Sequence, residues 1–231
     1  MVKPVKNHRW DLSVSEAKEI QQDLAKLVKI RPLPDNIKKV AGVDVHFTPD
    51  KKFAVCVAVL LSFPGLEILE KVYASCSLRF PYVPGYLAFR EGESILFALE
   101  KMKDLPDVLL FDAAGLAHPQ RFGLACHIGI LLDKPSIGCA KSLLYGKAEE
   151  PGEKKGDSSP IISPDGEKLG LALRTRDRTR CIYVSVGHLA DLAGARRLTL
   201  ACCSGYRIPE PLRHAHKIAK KISRNPGSFN F

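Results

Sequence analysis

Long apolar runs are missing from this chain of 231 residues. The longest stretch without a polar side chain is nine residues, 53–61, whereas a helix that crosses a bilayer needs about 20. The first residues are positively charged, but no apolar segment of a secretory signal follows them. We therefore expect a cytoplasmic protein that has no membrane partner.

Paired cysteine motifs are also missing. The seven cysteines are an odd number, and none of them stands in the C-x-x-C spacing of zinc sites and redox motifs. A buried free cysteine behaves as a small apolar residue. Most of the seven are therefore expected to be reduced residues of the core.

Balanced charge is missing from the last quarter of the chain. The formal net charge is +10, and residues 171–231 hold twelve Lys or Arg but only three Asp or Glu. Nine of the ten excess positive charges thus lie in this basic C-terminal region. Such asymmetry favours a polyanionic partner such as nucleic acid, although a solvated helix face is the simpler alternative.

Length and composition indicate a single domain over residues 1–231. The hydrophobic fraction of 45% and the charged fraction of 26% are typical of globular proteins and exclude disorder for most of the chain. A core can form at this length without disulfide bonds. The segment 147–168, rich in Gly, Pro, Ser and charge, is predicted to be a surface loop of this domain.

Hydrophobic periodicity predicts the order of the first helices and strands. A capping box at Ser13 and Glu16 opens an amphipathic helix, and three strand-like runs between 38 and 78 form a meander. The middle run, KKFAVCVAVLLSF at 51–63, is apolar on both faces, so we expect it inside the sheet. Two units of helix followed by strand come next, and the second of these helices is predicted to start at Pro119.

The remaining elements complete the predicted fold. The first of the two helices just mentioned is predicted to start at Arg90, and alternation in LGLALRTR and RCIYVSVG predicts a hairpin. The basic segment from Pro211 is predicted to be helical until Asn225. The predicted fold class is therefore α/β, a mixed β-sheet with helices packed against it.

An aspartate stands in the middle of the first strand-like run. Side-chain alternation in GVDVHF places Asp44 on the same face as His46, opposite to the apolar Val43 and Val45. Aspartate is a poor strand former, and a carboxylate in a sheet is costly to bury unless it is paired or binds a cation. A functional role is therefore favoured over a structural ion pair for Asp44.

A second carboxylate, Asp112, ends the strand-like run VLLFD. Ligand sites in open α/β sheets gather at the carboxyl ends of strands, although a turn or N-cap role would also suit an aspartate here. Carboxylates on neighbouring strands provide the oxygen ligands that Mg²⁺ prefers. Glu91, near the start of the preceding helix, is ambiguous alone because a negative charge there also suits the helix dipole.

Lys141 and His216 are weaker candidates by themselves. Lys141 follows the strand-like run SIGCA, but IGCAKS lacks the glycine spacing of a phosphate-binding loop, which excludes that class of NTPase. His216 lies in the basic segment RHAHKIAK, where a surface role is the simpler interpretation. Neither residue alone indicates a type of reaction.

The segment FPYVPG presents one aromatic side chain on a rigid loop. Pro81 and Pro84 flank Tyr82 and restrict the backbone, which aims the ring. An aromatic held in this way beside a basic surface can wedge into a base stack, whereas a place in the core is the commoner use of tyrosine.

Four segments, taken together, resemble the endonuclease V family. They are VAGVDVHF, FPYVPGYLAFRE, PDVLLFDAAGLAHPQRFGLACHIGILLDKPSIGCAKSLLYG and RIPEPLRHAH, and the resemblance covers about residues 8–220. It implies a ribonuclease H-like fold and Mg²⁺-dependent nicking of DNA at deaminated adenine, that is, deoxyinosine. The implied cut is at the second phosphodiester bond 3′ to the lesion, which stays in place.

The resemblance also implies roles for individual residues. Asp44, Glu91 and Asp112 would hold Mg²⁺, for which Mn²⁺ is expected to substitute. Lys141 and His216 would join them in the catalytic set. The expected DNA wedge and lesion pocket consist of Pro81, Tyr82, Pro84, Gly85, Leu87, Ala113, Gly115 and His118.

One position departs from the family. The residue after the second aspartate is usually glycine, and here it is Ala113. Glycine allows another group to approach the backbone closely, and the methyl group of alanine restricts that approach. We therefore expect a working nuclease whose tolerance of different lesions is altered.

Two alternatives to a deoxyinosine endonuclease stay open. An inosine-specific endoribonuclease would have the same motifs, because contact to a 2′-hydroxyl depends on groove geometry that the sequence does not show. A non-catalytic nucleic-acid-binding protein is the third hypothesis, and the presence of Asp44, Glu91 and Asp112 argues against it. The expected partner of the favoured enzyme is single- or double-stranded DNA with deoxyinosine, bound by a monomer.

Overall fold

The computed structural model describes residues 3–224, which form an eight-stranded sheet with helices on both faces. None of the helices in this range is both long and apolar enough to cross a bilayer. The end of the last helix predicted at Asn225 lies outside the described residues. In chain order the elements are α1 (Val14–Ala25), β1 (Lys39–Phe47), β2 (Phe53–Ser62), β3 (Ile68–Ser77), α2 (Leu87–Glu100), β4 (Val108–Phe111), α3 (Leu124–Leu132), β5 (Ser136–Ala140), β6 (Ser158–Ile162), β7 (Lys168–Leu173), β8 (Ile182–Val186), α4 (Leu192–Ala201) and α5 (Glu210–Arg224).

The strands are ordered β3-β2-β1-β4-β5-β8-β7-β6 across the sheet. Strands β1, β2 and β3 pair antiparallel as a meander, and β4 and β5 continue the sheet parallel to β1. Strands β6, β7 and β8 pair antiparallel at the other end. This topology confirms the mixed sheet, the meander and the interior position of β2 that the sequence predicts.

Two layers of helices cover the two faces of the sheet. Helices α2 and α3 pack on one face, against side chains such as Val43 and Phe111. Helices α4 and α5 pack on the opposite face, where Val57 of β2 contacts the α5 cluster. Every residue of α3 is buried. Within the described residues the seven cysteines form no disulfide bond, and all but Cys76 are buried, as expected.

Both central helices begin at other residues than the sequence predicts. Helix α2 starts at Leu87, almost one turn before Arg90, and α3 starts at Leu124 and not at Pro119. Arg121 has a left-handed backbone conformation with φ of 51°. A right-handed helix cannot pass through such a residue. The chain therefore forms turns after Pro119, and α3 begins only beyond them.

The segment 147–168, predicted to be a surface loop, contains a strand. Residues Ser158–Ile162 form β6 and pair antiparallel with β7, and Ile161 is fully buried. The composition hides this strand because Pro160 and two serines are poor strand formers. Proline is tolerated at an outer strand, where its missing N–H is not needed by a second neighbour, and β6 is the outermost strand of the sheet.

Gly42 determines how closely α5 lies against β1. A Cβ atom at Gly42 would collide with the backbone of Pro211 and Leu212 in the first turn of α5. We expect Gly42→Ala to lower the free energy of unfolding by about 1–3 kcal/mol, the usual cost of forcing extra atoms into a packed core. Urea denaturation measures this difference.

Gly65→Ala is the matched control for this substitution. Gly65 lies in the turn between β2 and β3, where an added Cβ would only approach Ser62 Oγ at 3.3 Å. An equal loss of stability in both variants would show that close contact between α5 and β1 is not what Gly42 provides.

Candidate active site

Three carboxylates meet where β4 ends beside the middle of β1. Strands β1 and β4 are parallel neighbours with Val43 opposite Phe111, so the next residues, Asp44 and Asp112, also lie side by side. Glu91 comes from the second turn of α2 and lines the same cleft. The structure thus brings together the three carboxylates that the sequence singles out.

His216 reaches this cleft from the opposite face of the sheet. It lies in α5, which can approach β1 closely at Gly42. The Nδ1 atom of His216 lies 2.8 Å from Oδ2 of Asp44, a hydrogen-bond distance. The structure therefore places His216 at the acidic cleft and not on a remote surface.

His46 belongs to the same cluster and is absent from the set of site residues predicted from the sequence. Its Nε2 atom lies 3.3 Å from Oδ2 of Asp44 and 3.1 Å from Nδ1 of His216. Ligand atoms of the three residues all lie within 4.8 Å of one another. The alternation that places His46 and Asp44 on one face was the available signal for this residue.

Lys141 forms an ion pair with Asp112. Lys141 follows β5 directly, and β5 is the parallel neighbour of β4, so both residues leave the same edge of the sheet. The Nζ atom of Lys141 donates to Oδ2 of Asp112. One predicted cation thus touches the carboxylate cleft directly.

Two of the three carboxylates, Glu91 and Asp112, have raised pKa values because they are buried near other negative charges. Burial, together with the charges of Asp44 and Asp112, raises the pKa of Glu91 to about 8. Burial also raises the pKa of Asp112, and the ion pair with Lys141 only partly opposes this rise. Burial and neighbouring charge therefore disfavour the ionised forms of Glu91 and Asp112.

Asp44 differs from the other two carboxylates. Burial alone would raise its pKa, but hydrogen bonds and charge interactions with His46 and His216 outweigh burial and hold the pKa of Asp44 below its usual value. Asp44 is consequently the carboxylate that stays ionised most readily.

A divalent cation fits this set of donors. Carboxylate oxygens suit hard cations such as Mg²⁺, and a carboxylate with imidazoles also suits Mn²⁺. A positive charge in the cleft would stabilise the ionised form of Glu91, which burial and the charges of Asp44 and Asp112 disfavour. Asp44, Glu91 and Asp112, with His46 and His216 beside them, are the residues that could hold such an ion.

The FPYVPG loop stands beside this cleft and exposes its tyrosine. Tyr82 is 71% exposed, and both flanking prolines, Pro81 and Pro84, are exposed as well. Gly85 has φ of 86°, a conformation that favours glycine, and its carbonyl oxygen accepts a hydrogen bond of 2.9 Å from Gln21. The structure therefore presents Tyr82 on an anchored loop, outside the core.

His118 connects this loop to the segment that follows Asp112. Its ring would lie 3.7 Å from a Cβ atom at Gly85, and it hydrogen-bonds to the Gly85 backbone. Burial lowers the pKa of His118 to about 4, so the ring is neutral at physiological pH. Nδ1 of His118 accepts a hydrogen bond from the Gln120 backbone, which leaves Nε2–H to donate towards Gly85.

The other predicted pocket residues lie around this contact. Leu87 is the first residue of α2, two residues after Gly85. Ala113 is buried and lines the acidic cleft itself. Gly115 packs against the Val186 backbone, where a Cβ atom would collide. Gly85 and His118 of the predicted pocket are in contact, whereas Ala113 lies among the carboxylates.

The sequence profile of the endonuclease V family matches residues 22–217, which include all the residues of this cleft. The chain belongs to the endonuclease V family. Endonuclease V proteins are nucleases, hydrolases that bind and repair DNA, and the cleft provides the residues expected for such an enzyme.

Individual members of the family match almost the whole chain. Endonuclease V of Methanothrix thermoacetophila is 48% identical over 217 residues, covering 94% of this chain and 95% of its own. The crystal structure of endonuclease V from Streptomyces avermitilis superposes with a TM-score of 0.88 at 37% identity, covering 92% of this chain and 93% of that chain. Its likeness confirms the fold expected from the resemblance.

The crystal structure of a third relative contains bound nucleic acid. Ciona intestinalis endonuclease V, in complex with a 24mer DNA containing an inosine followed by a ribo-adenosine, superposes with a TM-score of 0.79 at 32% identity. The match covers 90% of this chain and 96% of that chain.

The raised pKa of Glu91 predicts how stability depends on pH. An acid whose pKa is higher in the folded chain destabilises it as pH rises from the unfolded pKa of about 4.5 towards the folded pKa of about 8. In EDTA, Glu91→Gln should therefore melt at a higher temperature than the wild type at pH 8.5 and equally at pH 4. Each kcal/mol relieved raises the midpoint by about 2–4 °C.

Thermal melts at the two pH values, with and without Mg²⁺, measure this effect. Glu100→Gln is the control, since it removes a carboxylate from the last turn of α2, outside the cleft. A Glu91→Gln midpoint that differs from the wild type by the same amount at both pH values would contradict the assigned repulsion.

Proposed function

We propose that this endonuclease V is a Mg²⁺-dependent DNA repair enzyme that recognises deoxyinosine in single- or double-stranded DNA and acts as a monomer. It nicks the second phosphodiester bond 3′ to the lesion and leaves the lesion in place. The observation that carries this proposal is the meeting of Asp44, Glu91 and Asp112 in one cleft, with Lys141 and His216 in contact with two of them.

We assign a different role in the reaction to each group of residues in the cleft. Asp44, Glu91 and Asp112 would hold Mg²⁺, with Mn²⁺ able to substitute, and such an ion would supply an activated water and stabilise charge on phosphate oxygens. Lys141 adds a fixed positive charge beside Asp112, where negative charge builds up on the phosphate. His216 orients the Asp44 carboxylate through their hydrogen bond and positions the nucleophile.

Lesion recognition is assigned to the exposed loop beside the cleft. Tyr82 enters the base stack as a wedge, and the deaminated base is turned out of the strand into the pocket next to it. Gly85 and Leu87 on one side and neutral His118 on the other form this pocket. The methyl group of Ala113, at the carboxylate end of the pocket, narrows the range of lesions accepted.

The exposed face of α5 supplies positive charge for the phosphate backbone. Its exposed side chains are Lys217, Lys220, Lys221 and Arg224, whereas Ala215, Ala219 and Ile222 face the sheet. Each phosphate neutralised releases counterions, so affinity falls as salt rises. The charge asymmetry of the sequence favours a polyanionic partner. We assign that partner as a nucleic acid strand that binds along the exposed face of α5.

An inosine-specific endoribonuclease is the second candidate. The Ciona complex contains DNA in which a ribo-adenosine follows the inosine, so that relative accommodates a ribonucleotide next to the recognised base. The same acidic cleft cuts either backbone, and the 2′-hydroxyl is the group that distinguishes them.

Asp44→Ala should abolish nicking. We expect a single Mg²⁺-dependent cut on the 3′ side of deoxyinosine by the wild type, none on the matched adenosine duplex, and none in EDTA. Loss of Asp44 should lower the rate by at least about 100-fold, since a ligand of the ion is removed. Gel assays on labelled deoxyinosine and adenosine strands, with inosine-containing RNA in parallel, measure these rates.

Asp23→Ala is the matched control for this loss. Asp23 is an exposed aspartate on α1 that pairs only with its neighbour Lys26. Normal nicking by the Asp44→Ala variant would reject the proposed centre. Cutting of the RNA alone by the wild type would replace the proposed function with the second candidate.

Tyr82→Ala should weaken lesion recognition and leave the carboxylate cleft unchanged. Stacking of a base on an aromatic ring contributes about 1–3 kcal/mol, so affinity for deoxyinosine DNA should fall about 10-fold or more. Tyr82→Phe keeps the ring and should bind like the wild type. Fluorescence anisotropy with deoxyinosine and adenosine duplexes measures both, and equal binding by the Ala variant would contradict the wedge.

A further inference from the structure

A second exposed tyrosine comes just before another element of the acidic cleft. Tyr82 precedes α2, which provides Glu91, and Tyr206 precedes α5, which provides His216. Helices α2 and α5 pack on opposite faces of the sheet. Within residues 3–224, Tyr82 and Tyr206 are the two most exposed tyrosines, at 71% and 50%. Each of the two helices that bring Glu91 and His216 to the cleft is thus preceded by an exposed tyrosine.

The ring of Tyr206 is held in place by Arg213, a half-buried residue that is paired with Glu210. The guanidinium carbon of Arg213 lies 4.1 Å from the centre of the Tyr206 ring. Arg213 is itself fixed, because its Nε atom donates a hydrogen bond of 2.9 Å to Glu210, a buried carboxylate. Gly205, with φ of 76°, turns the chain into this arrangement. One face of the ring is therefore supported while half of the residue stays open to solvent.

The segment that carries Tyr206 is also tied to the catalytic residues. The Nη2 atom of Arg207 donates a hydrogen bond of 3.1 Å to the backbone oxygen of Lys141. The backbone oxygen of Arg207 accepts one of 2.6 Å from Thr175. On α5, Arg213 and His216 are three residues apart and are neighbours on the helix surface. Tyr206 thus has a short structural connection to both Lys141 and His216.

We propose that Tyr206 is a second stacking platform, which binds an unstacked nucleobase of the substrate strand on the α5 side of the cleft. This inference rests on the proposed function and extends it beyond the wedge and the lesion pocket. Every base has a π-face, so such a platform holds the strand without reading its sequence. Arg207, the next residue along the chain, adds a positive charge near Lys141 that suits a phosphate of the same strand.

Binding measurements on substituted protein test the platform. The affinity for a fluorescent single strand with one deoxyinosine is measured by anisotropy in EDTA, so that the strand is not cut. Tyr206→Ala should weaken binding about 10-fold, and Tyr206→Phe, which keeps the ring, should stay within about twofold of the wild type. Thermal melts report whether either substitution also loosens the contact with Arg213.

An abasic scan separates stacking from a structural role. A single abasic site is moved along the strand on both sides of the lesion. One position should weaken wild-type binding about 10-fold and have no further effect on Tyr206→Ala, because the base that stacks on Tyr206 is the one removed. Tyr82→Ala, the matched control, should become insensitive at a different position.

Two results would overturn the inference. One is wild-type affinity in the Tyr206→Ala variant, and the other is a Tyr206→Ala variant that keeps the full abasic pattern although it binds more weakly or melts earlier. The abasic scan needs no cleavage. Failure of the wild type to nick deoxyinosine DNA in Mg²⁺ would therefore reject the proposed activity separately, while the scan still decides the role of Tyr206.

Discussion

The parallel pairing of β1 with β4 is the constraint on which the candidate active site depends. It sets Asp44 beside Asp112 by backbone register alone, whatever the neighbouring loops do. Two helices then complete the centre from opposite faces of the sheet, α2 with Glu91 and α5 with His216. Helix α5 comes close enough only because Gly42 has no side chain. Regular elements, and not loops, therefore set the geometry of this centre.

The same geometry is unfavourable for the folded chain by itself. Three acids share one cleft, and burial together with the charges of Asp44 and Asp112 raises the pKa of Glu91 to about 8. Burial elsewhere, such as the fully buried helix α3, must offset this repulsion. Conflict between local charge and overall stability is expected where a chain is built for chemistry and not for stability alone. A cation bound in the cleft would attract the carboxylates and so offset their mutual repulsion.

Local patterns in the sequence account for much of the fold and for the two aspartates. Alternation places Asp44 on one face because the face of a strand residue is a local property, and the end of β4 identifies Asp112 for the same reason. The contact of His46 with His216 joins residues 170 positions apart and depends on how α5 packs, which no local pattern shows. The predicted start of α3 at Pro119 was wrong, because the composition of the segment does not show that Arg121 has a left-handed conformation. Strand β6 was hidden by its serines and proline.

The two outer strands of the sheet, β3 and β6, affect how the protein behaves at high local concentration, and only the end of β6 is covered, by a bridge between Ile162 and Lys147 within the described residues. An unpaired strand edge can template pairing with a second molecule, and charged residues or proline at the edge discourage it. Strand β6 carries Pro160 at one edge, and β3 carries Glu70 and Lys71 at the other. Many copies crowded along one polyanion would bring such edges together. Pro160, Glu70 and Lys71 oppose the growth of an intermolecular β-sheet. Protein molecules crowded on one nucleic acid are therefore protected from aggregation through these edges.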